Sequence, residues 1–192
     1  MPQALTTGKP ARSAADASSA CADEALDFDA VFEQMAPYVM RFVRRMGIAP
    51  ADVDDVVQDV FLAVHRGLAS FERRSSLRTW VYGICVFACS NHRDRAYRRR
   101  EVPSEEAGAG PATGDPERTL AADRALAALD DALSELPVDQ SSVFVLFEIE
   151  GLPMREVATA AGCSKFTAYT RLYAARKRVR AALADHGPGE AT

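Results

Sequence analysis

Residues 151–180 read GLPMREVATAAGCSKFTAYTRLYAARKRVR. Val157, Ala158, Ala161, Cys163, Ala168 and Leu172 fall where two short helices packed across a turn need small or apolar residues. Ala158 must be small because the helices cross closely there. Gly162 suits the left-handed turn between them, and Ser164 supplies an oxygen to cap the second helix. That second helix would expose Lys165, Thr167, Thr170, Arg171 and Arg176, side chains able to reach base edges and phosphates in a major groove. The competing reading is an ordinary helical hairpin with a solvated basic face. Five basic residues within 171–180 favour a helix-turn-helix.

Working outward, the rest of the chain is also helical in pattern. Phe28, Val31, Phe32, Met35, Val39, Phe42, Val43 and Met46 recur in steps of three and four, with a break or kink expected at Pro37 and an end at Gly47. Asp52 opens a second helix with a stripe of Val53, Val56, Val57, Val60, Phe61 and Val64. A loop from Phe71 to Ser76 leads to a third helix, Leu77–Arg100, with Trp80, Val81, Ile84, Phe87 and Ala88 as core residues. Leu120, Leu126, Leu129, Leu133 and Leu136 mark a fourth, and Pro137 sits in the first turn of a fifth, Val138–Glu150. VFVLF (143–147) could pass for a strand, but its flanks and surroundings argue for a buried helix.

The fold class expected is therefore all-α, as two small helical domains. A disordered tail (1–26) precedes the first domain (27–100). An acidic, flexible linker rich in Gly, Pro, Ala and Glu (101–116) leads to the second domain (117–184), and a short tail (185–192) ends the chain.

The formal net charge of −4 hides a pattern: residues 1–30, 31–100, 101–150 and 151–192 carry −3, +5, −10 and +4. Two basic blocks flank an acidic middle, which suggests a polyanionic partner. No apolar run approaches a membrane span, and the N-terminus lacks the apolar core of a secretory signal. Cys21, Cys85, Cys89 and Cys163 form no CxxC pair and suit a reducing cytoplasm. No P-loop, HExxH or GxSxG is present, so the sequence offers no catalytic constellation and implies no cofactor.

Three further motifs carry information. NHRDRAYRRR (91–100) holds five arginines in ten residues; a solvated helix end is the plain reading. The preceding FERRSSLRTWVYGI adds aromatic faces beside arginines, the combination that holds single-stranded DNA. The carboxylates of DVDDVVQDVF alternate with valines, a poor chelating geometry and a better protein interface. Cys85, Cys89 and His92 share a helical face, and a zinc or redox sensor is one reading of them; small core residues are the other.

Taken together in this order and spacing, DVDDVVQDVF, FERRSSLRTWVYGI and LSELPVDQSSVFVLFEIEGLPMREVATAAGCS resemble the extracytoplasmic-function (ECF) RNA polymerase sigma factors of the sigma-70 family, over about residues 28 to 184. The resemblance implies sigma region 2 for the first domain, binding core polymerase and recognising and melting the minus-ten element. It implies region 4 for the second, recognising the minus-thirty-five element. Asp54, Asp55, Gln58 and Asp59 would contact the clamp helices of the largest catalytic subunit, and the flap of the second-largest subunit would be a further contact. Arg73, Arg74, Ser75 and Ser76 would shape a pocket for a flipped minus-ten base, with Asn91, Arg95 and Arg98 along that element. Lys165, Thr167, Thr170, Arg171, Tyr173 and Arg176 would face the minus-thirty-five duplex. An anti-sigma factor is implied as a further partner. A helix-turn-helix regulator that does not engage polymerase is the alternative. The chain departs from the family at Phe87, where many members carry Asn. It departs again at Phe166-Thr167-Ala168-Tyr169-Thr170-Arg171, where Gly-Thr-Val-Lys-Ser-Arg is common. Phe166 would either touch a thymine methyl or pack on the scaffold.

Overall fold

The computed structural model describes residues 26–100 and 119–185, and every regular element among them is helical. The expected linker and nearly all of both expected tails lie outside the described residues, as does the expected start of the second domain. The first group comprises α1 (Phe28–Arg45), α2 (Val53–Leu68, entered by a short 3-10 turn) and α3 (Leu77–Arg100). The second comprises α4 (Thr119–Ser134), α5 (Val138–Phe144), α6 (Met154–Ala160) and α7 (Lys165–Asp185).

Asp27 caps α1, its carboxylate accepting the Ala30 N–H at 3.3 Å. The expected break at Pro37 does not occur, and the helix runs through it. Val31 and Met35 before the proline and Val39, Phe42 and Val43 after it are all buried, so packing on both sides keeps the segment helical across one missing hydrogen bond. Gly47 then turns the chain with φ +67°. Asp52 precedes α2 but gives it no side-chain cap; its carboxylate meets His92 Nε2 at 3.1 Å instead.

Two core assignments are corrected. On α3, Tyr82, Cys85 and Cys89 are buried with Val81, whereas Phe87 is 67% exposed. Leu133 on α4 and Leu136 just beyond it are buried, but Leu126 on α4 is exposed. Each follows from which side of its helix meets a neighbour, which periodicity alone does not specify.

The expected helix 138–150 also divides. After Phe144 the chain makes one π-helical turn, Val145–Ile149, with the Glu150 N–H donating to the Val145 carbonyl at 2.9 Å. The extra residue rotates the chain beyond it by about 100°. The two groups then close on each other: α6 lies on α3, α4 touches α1, and one continuous apolar core runs through both.

Candidate nucleic-acid interface

Three surfaces carry the expected site residues. On α2, Asp54, Asp55, Gln58 and Asp59 are all exposed along one side. Beside them Phe28, Phe32, Val57, Phe61, Leu62 and His65 line an apolar groove. Phe32 meets Phe61 edge-on with ring centroids 4.6 Å apart.

The second surface is the loop and outer face of α3. Phe71 packs on Trp80 at 5.0 Å between centroids, and Arg74 pairs with Glu72. Arg73 sits in the left-handed region at φ +54°, a strained conformation for a residue with a side chain. Ser76 caps α3, its hydroxyl accepting the Thr79 N–H at 3.1 Å. At 100° per residue, Trp80, Gly83, Phe87, Asn91 and Arg98 fall on one stripe, with Arg95 at its margin. Phe87, Arg95 and Arg98 are exposed and Asn91 is half-buried.

The third surface is the helix-turn-helix. Gly162 has φ +61°, and Ser164 caps α7 by accepting the Thr167 N–H at 3.1 Å. Ala158, Ala168 and Leu172 are buried in the crossing. Three of the five residues expected to be exposed are half-buried and partnered: the Thr167 hydroxyl lies 2.8 Å from that of Ser164. Arg171 is half-buried and paired with Asp139 at 3.0 Å, and Arg176 is half-buried and paired with Glu148 at 2.5 Å. Both lie on the flanks of α7, where the acidic α5 and π turn reach them. The outward face carries Phe166, Tyr169, Thr170 and Tyr173, all exposed, followed by Lys177 and Arg180. Phe166 is 82% exposed and so does not pack on the scaffold. The Thr170 hydroxyl donates to the Phe166 carbonyl at 3.1 Å, leaving its methyl to complete the apolar edge.

A fourth constellation, between the two groups, was not legible in the sequence. The side chain of Glu150 is 0% exposed. Arg41 donates to its two oxygens from Nε and Nη2, each at 2.8 Å; Arg78 Nη2 donates at 3.1 Å, and Tyr82 donates its hydroxyl. Burial pushes the Glu150 carboxyl up, but the hydrogen bonds from Arg41, Tyr82 and Arg78 outweigh it and hold the group below the usual carboxylate range. On α6, Glu156 accepts from Ser76 at 3.2 Å and from Thr79. A Cβ at Gly83 would stand 3.5 Å from the Ala160 carbonyl, so α3 and α6 cross nearly in backbone contact. Arg93 closes the other end, donating to the Ser134 and Leu136 carbonyls at 3.0 and 2.9 Å. No periodic signal marks Glu150; its partners Arg41 and Arg78 are 109 and 72 residues away.

Cys85 and Cys89 belong to the core rather than to an open thiol site: burial raises both thiols, Cys89 to about 12. His92 Nε2 meets the Asp52 carboxylate at 3.1 Å. Among the described residues no group of three or more His, Cys, Asp or Glu could hold a metal ion, and no helix is long and apolar enough to cross a membrane.

Comparison with known proteins converges on one family. The Sigma-70 region 2 family model matches residues 31–99 and the Sigma-70 region 4 family model residues 126–179. The chain is 30% identical to the RNA polymerase sigma-H factor of Pseudomonas aeruginosa over 143 residues, 69% of this chain and 73% of that one. It is 31% identical to the ECF RNA polymerase sigma factor SigF of Caulobacter vibrioides over 136 residues, 71% and 73% of the two chains. Its fold is similar to CnrH in complex with the cytosolic domain of CnrY (TM-score 0.60, 26% identity, 84% and 89% of the two chains). It is also similar to the sigma factor RpoE in complex with the anti-sigma factor NepR from Bartonella quintana (TM-score 0.65, 24% identity, 82% and 96%). The chain thus belongs to the sigma-70 family of RNA polymerase sigma factors, in its extracytoplasmic-function group.

Proposed function

We propose that this chain binds core RNA polymerase in the cytoplasm and directs it to promoters, reading a minus-ten element with its first domain (27–100) and a minus-thirty-five element with its second (117–184). The observation that carries the reading is the coexistence on one chain of two nucleic-acid-type faces, on α3 and α7, and one exposed carboxylate face, on α2. Asp54, Asp55, Gln58 and Asp59 dock on basic clamp helices of the largest polymerase subunit, with the apolar groove beside them adding buried area; the flap of the second-largest subunit takes region 4. Exposed Phe87 offers a stacking platform beside Asn91, Arg95 and Arg98, a combination suited to unpaired bases and their phosphates. Arg73, Arg74, Ser75 and Ser76 form the rim of a pocket for a flipped base, whose unstacking costs a few kcal/mol that capture offsets.

In the second domain the outward face of α7 enters the major groove. Phe166 and the Thr170 methyl meet thymine methyl groups, while Lys177 and Arg180 follow the backbone. Lys165, Thr167 and Tyr173 border the same groove. Arg171 and Arg176 contribute from the flanks once released by Asp139 and Glu148. Two tethered domains raise each other's effective concentration at paired elements. The chain supplies address and melting, and polymerase supplies catalysis. An anti-sigma factor is a further partner, as it is for RpoE of Bartonella quintana.

The test is run-off transcription with core enzyme on a genomic fragment library, alongside pull-down of core enzyme. Asp55→Lys with Asp59→Lys is expected to abolish retention and transcription together while the fold survives, because both side chains are exposed. Retention unchanged by the double reversal refutes the docking assignment. Tight, sequence-specific duplex binding with no polymerase engagement would favour a conventional regulator.

A further inference from the structure

Phe166, Tyr169, Thr170 and Tyr173 leave an apolar face open on α7, and each aromatic ring is more than half exposed. At about 100° per residue the four fall within an arc of about 100°, and at about 1.5 Å per residue they span about 10.5 Å along the axis. That length covers about three base steps of duplex at about 3.4 Å each. A contiguous apolar patch of this kind marks an interaction site. The surrounding charge names the occupant. Lys165 borders the face, and Lys177 and Arg180 continue it, so its partner is an apolar surface set in a polyanion. The major groove of DNA offers such a surface wherever thymine presents its C5-methyl group.

The hydrogen-bonding code is largely closed to this face. Adenine is read in bidentate fashion by Asn or Gln, and cytosine by Asp or Glu. Residues 165–180 contain none of these. Guanine is read by Arg or Lys. Arg171 and Arg176, however, lie on the flanks, held by Asp139 and Glu148, and Lys165 stands about 100° round the helix from Phe166. Thr170 donates its hydroxyl to the Phe166 carbonyl, so toward DNA it offers its methyl. The tyrosine hydroxyls, at the tips of their rings, suit phosphate oxygens. What remains to tell one base pair from another is apolar contact.

We propose that the second domain selects its element by C5-methyl groups rather than by hydrogen bonds to base edges, so that a cytosine methylated at C5 serves it as a thymine. 5-Methylcytosine carries the same methyl at the same ring position. Its base pair differs in the groove at the exchanged amine and carbonyl groups, which this face does not read. Cytosine-5 methylation of such an element therefore raises its use by this chain. The proposal deepens the minus-thirty-five reading above and rests on it.

The test uses the full chain with core polymerase, on a promoter that the holoenzyme selects from genomic fragments. Block substitution locates the upstream element. Each of its thymines is then replaced by deoxyuridine, which removes the methyl and nothing else, and abortive transcription is measured. The two most sensitive thymines are next replaced by cytosine or by 5-methylcytosine, each paired with guanine. One buried methyl is worth about fourfold, so two cytosines are expected to lower promoter use about 15-fold. 5-Methylcytosine at the same positions is expected to recover it to within about threefold of the thymine promoter. Phe166→Ala with Tyr173→Ala, both exposed and so compatible with the fold, is expected to narrow the thymine-to-cytosine ratio below about threefold.

An element whose thymines are all indifferent to loss of the methyl overturns the proposal, and so does 5-methylcytosine no better than cytosine. Both results come from the wild-type chain and need no variant to fold. A double variant that keeps the full ratio also overturns it, and leaves the aromatic face to a protein partner. A promoter indifferent to every upstream substitution overturns the minus-thirty-five reading itself, and the proposal with it.

Discussion

Replacing Glu150 by Gln removes the charge that Arg41, Arg78 and Tyr82 share, and its cost can be worked from the contacts. Breaking an ion pair with both partners buried costs about 3–5 kcal/mol. Here only the carboxylate is dry; the Arg41 and Arg78 side chains remain 43% and 41% exposed, so water recovers much of their solvation. The loss therefore falls toward the value of charge-assisted hydrogen bonds, about 2 kcal/mol, or roughly 30-fold in the folded-to-unfolded ratio. The sign of its pH dependence is set by the depressed carboxyl. Stability contributed by such a group is fully present above its unfolded value, about 4.3 for a glutamate, and is lost as pH falls through the lower folded value. Urea unfolding of wild type and variant at pH 7, and then in steps through the acid range, is the assay. The gap is expected to be constant near neutrality and to narrow below about pH 4. A gap under about 0.5 kcal/mol at pH 7, or one that widens on acidification, would refute the argument.

Gly47→Ala is expected to destabilise by about 2–4 kcal/mol, read as a fall in Tm. The site has φ +67° and an added Cβ would stand 2.7 Å from the Ser134 Cα, so an unchanged Tm would mean that this approach is not maintained in solution. Burial of Cys85 and Cys89, with Cys89 raised to about 12, predicts that both resist iodoacetamide at pH 8 in the folded protein and react once it is denatured. Peptide mass spectrometry measures this, and equal labelling in both states contradicts it. Replacing minus-thirty-five thymines by deoxyuridine, which lacks the methyl group, is expected to reduce promoter use by wild-type holoenzyme but not by Phe166→Ala. Equal sensitivity of the two would place Phe166 outside the groove.

The helices were legible because their information is local. The third helix was expected over Leu77–Arg100 and lies there, and Gly162 and Ser164 form the turn and cap that their chemistry requires. What was hidden depends on distant partners. Pro37 stays within α1 because packing on both flanks overrides it, and Phe87 is exposed because the neighbours of α3 meet its other sides. The carboxylates that α5 and the π turn place against Arg171 and Arg176 were hidden in the same way. Glu150 looked like one more acid in an acidic middle, since nothing in a run of residues signals a partner 109 positions earlier.

Those two flanking pairs have a consequence for how salt acts on the second domain. Arg171 and Arg176 arrive at DNA already carrying their own covalently tethered counter-ions, Asp139 and Glu148. Neither can displace a condensed cation from the duplex without abandoning a carboxylate that stays nearby. The exposed charges Lys165, Lys177 and Arg180 on the groove side have no such partner to surrender among the ion pairs described. At about 0.9 per phosphate neutralised, the slope of log affinity against log salt for this domain should thus reflect three cations rather than five. Replacing Glu148 by Gln would make binding tighter at low salt and more steeply salt-dependent, an added acidic charge having served until then to flatten the response.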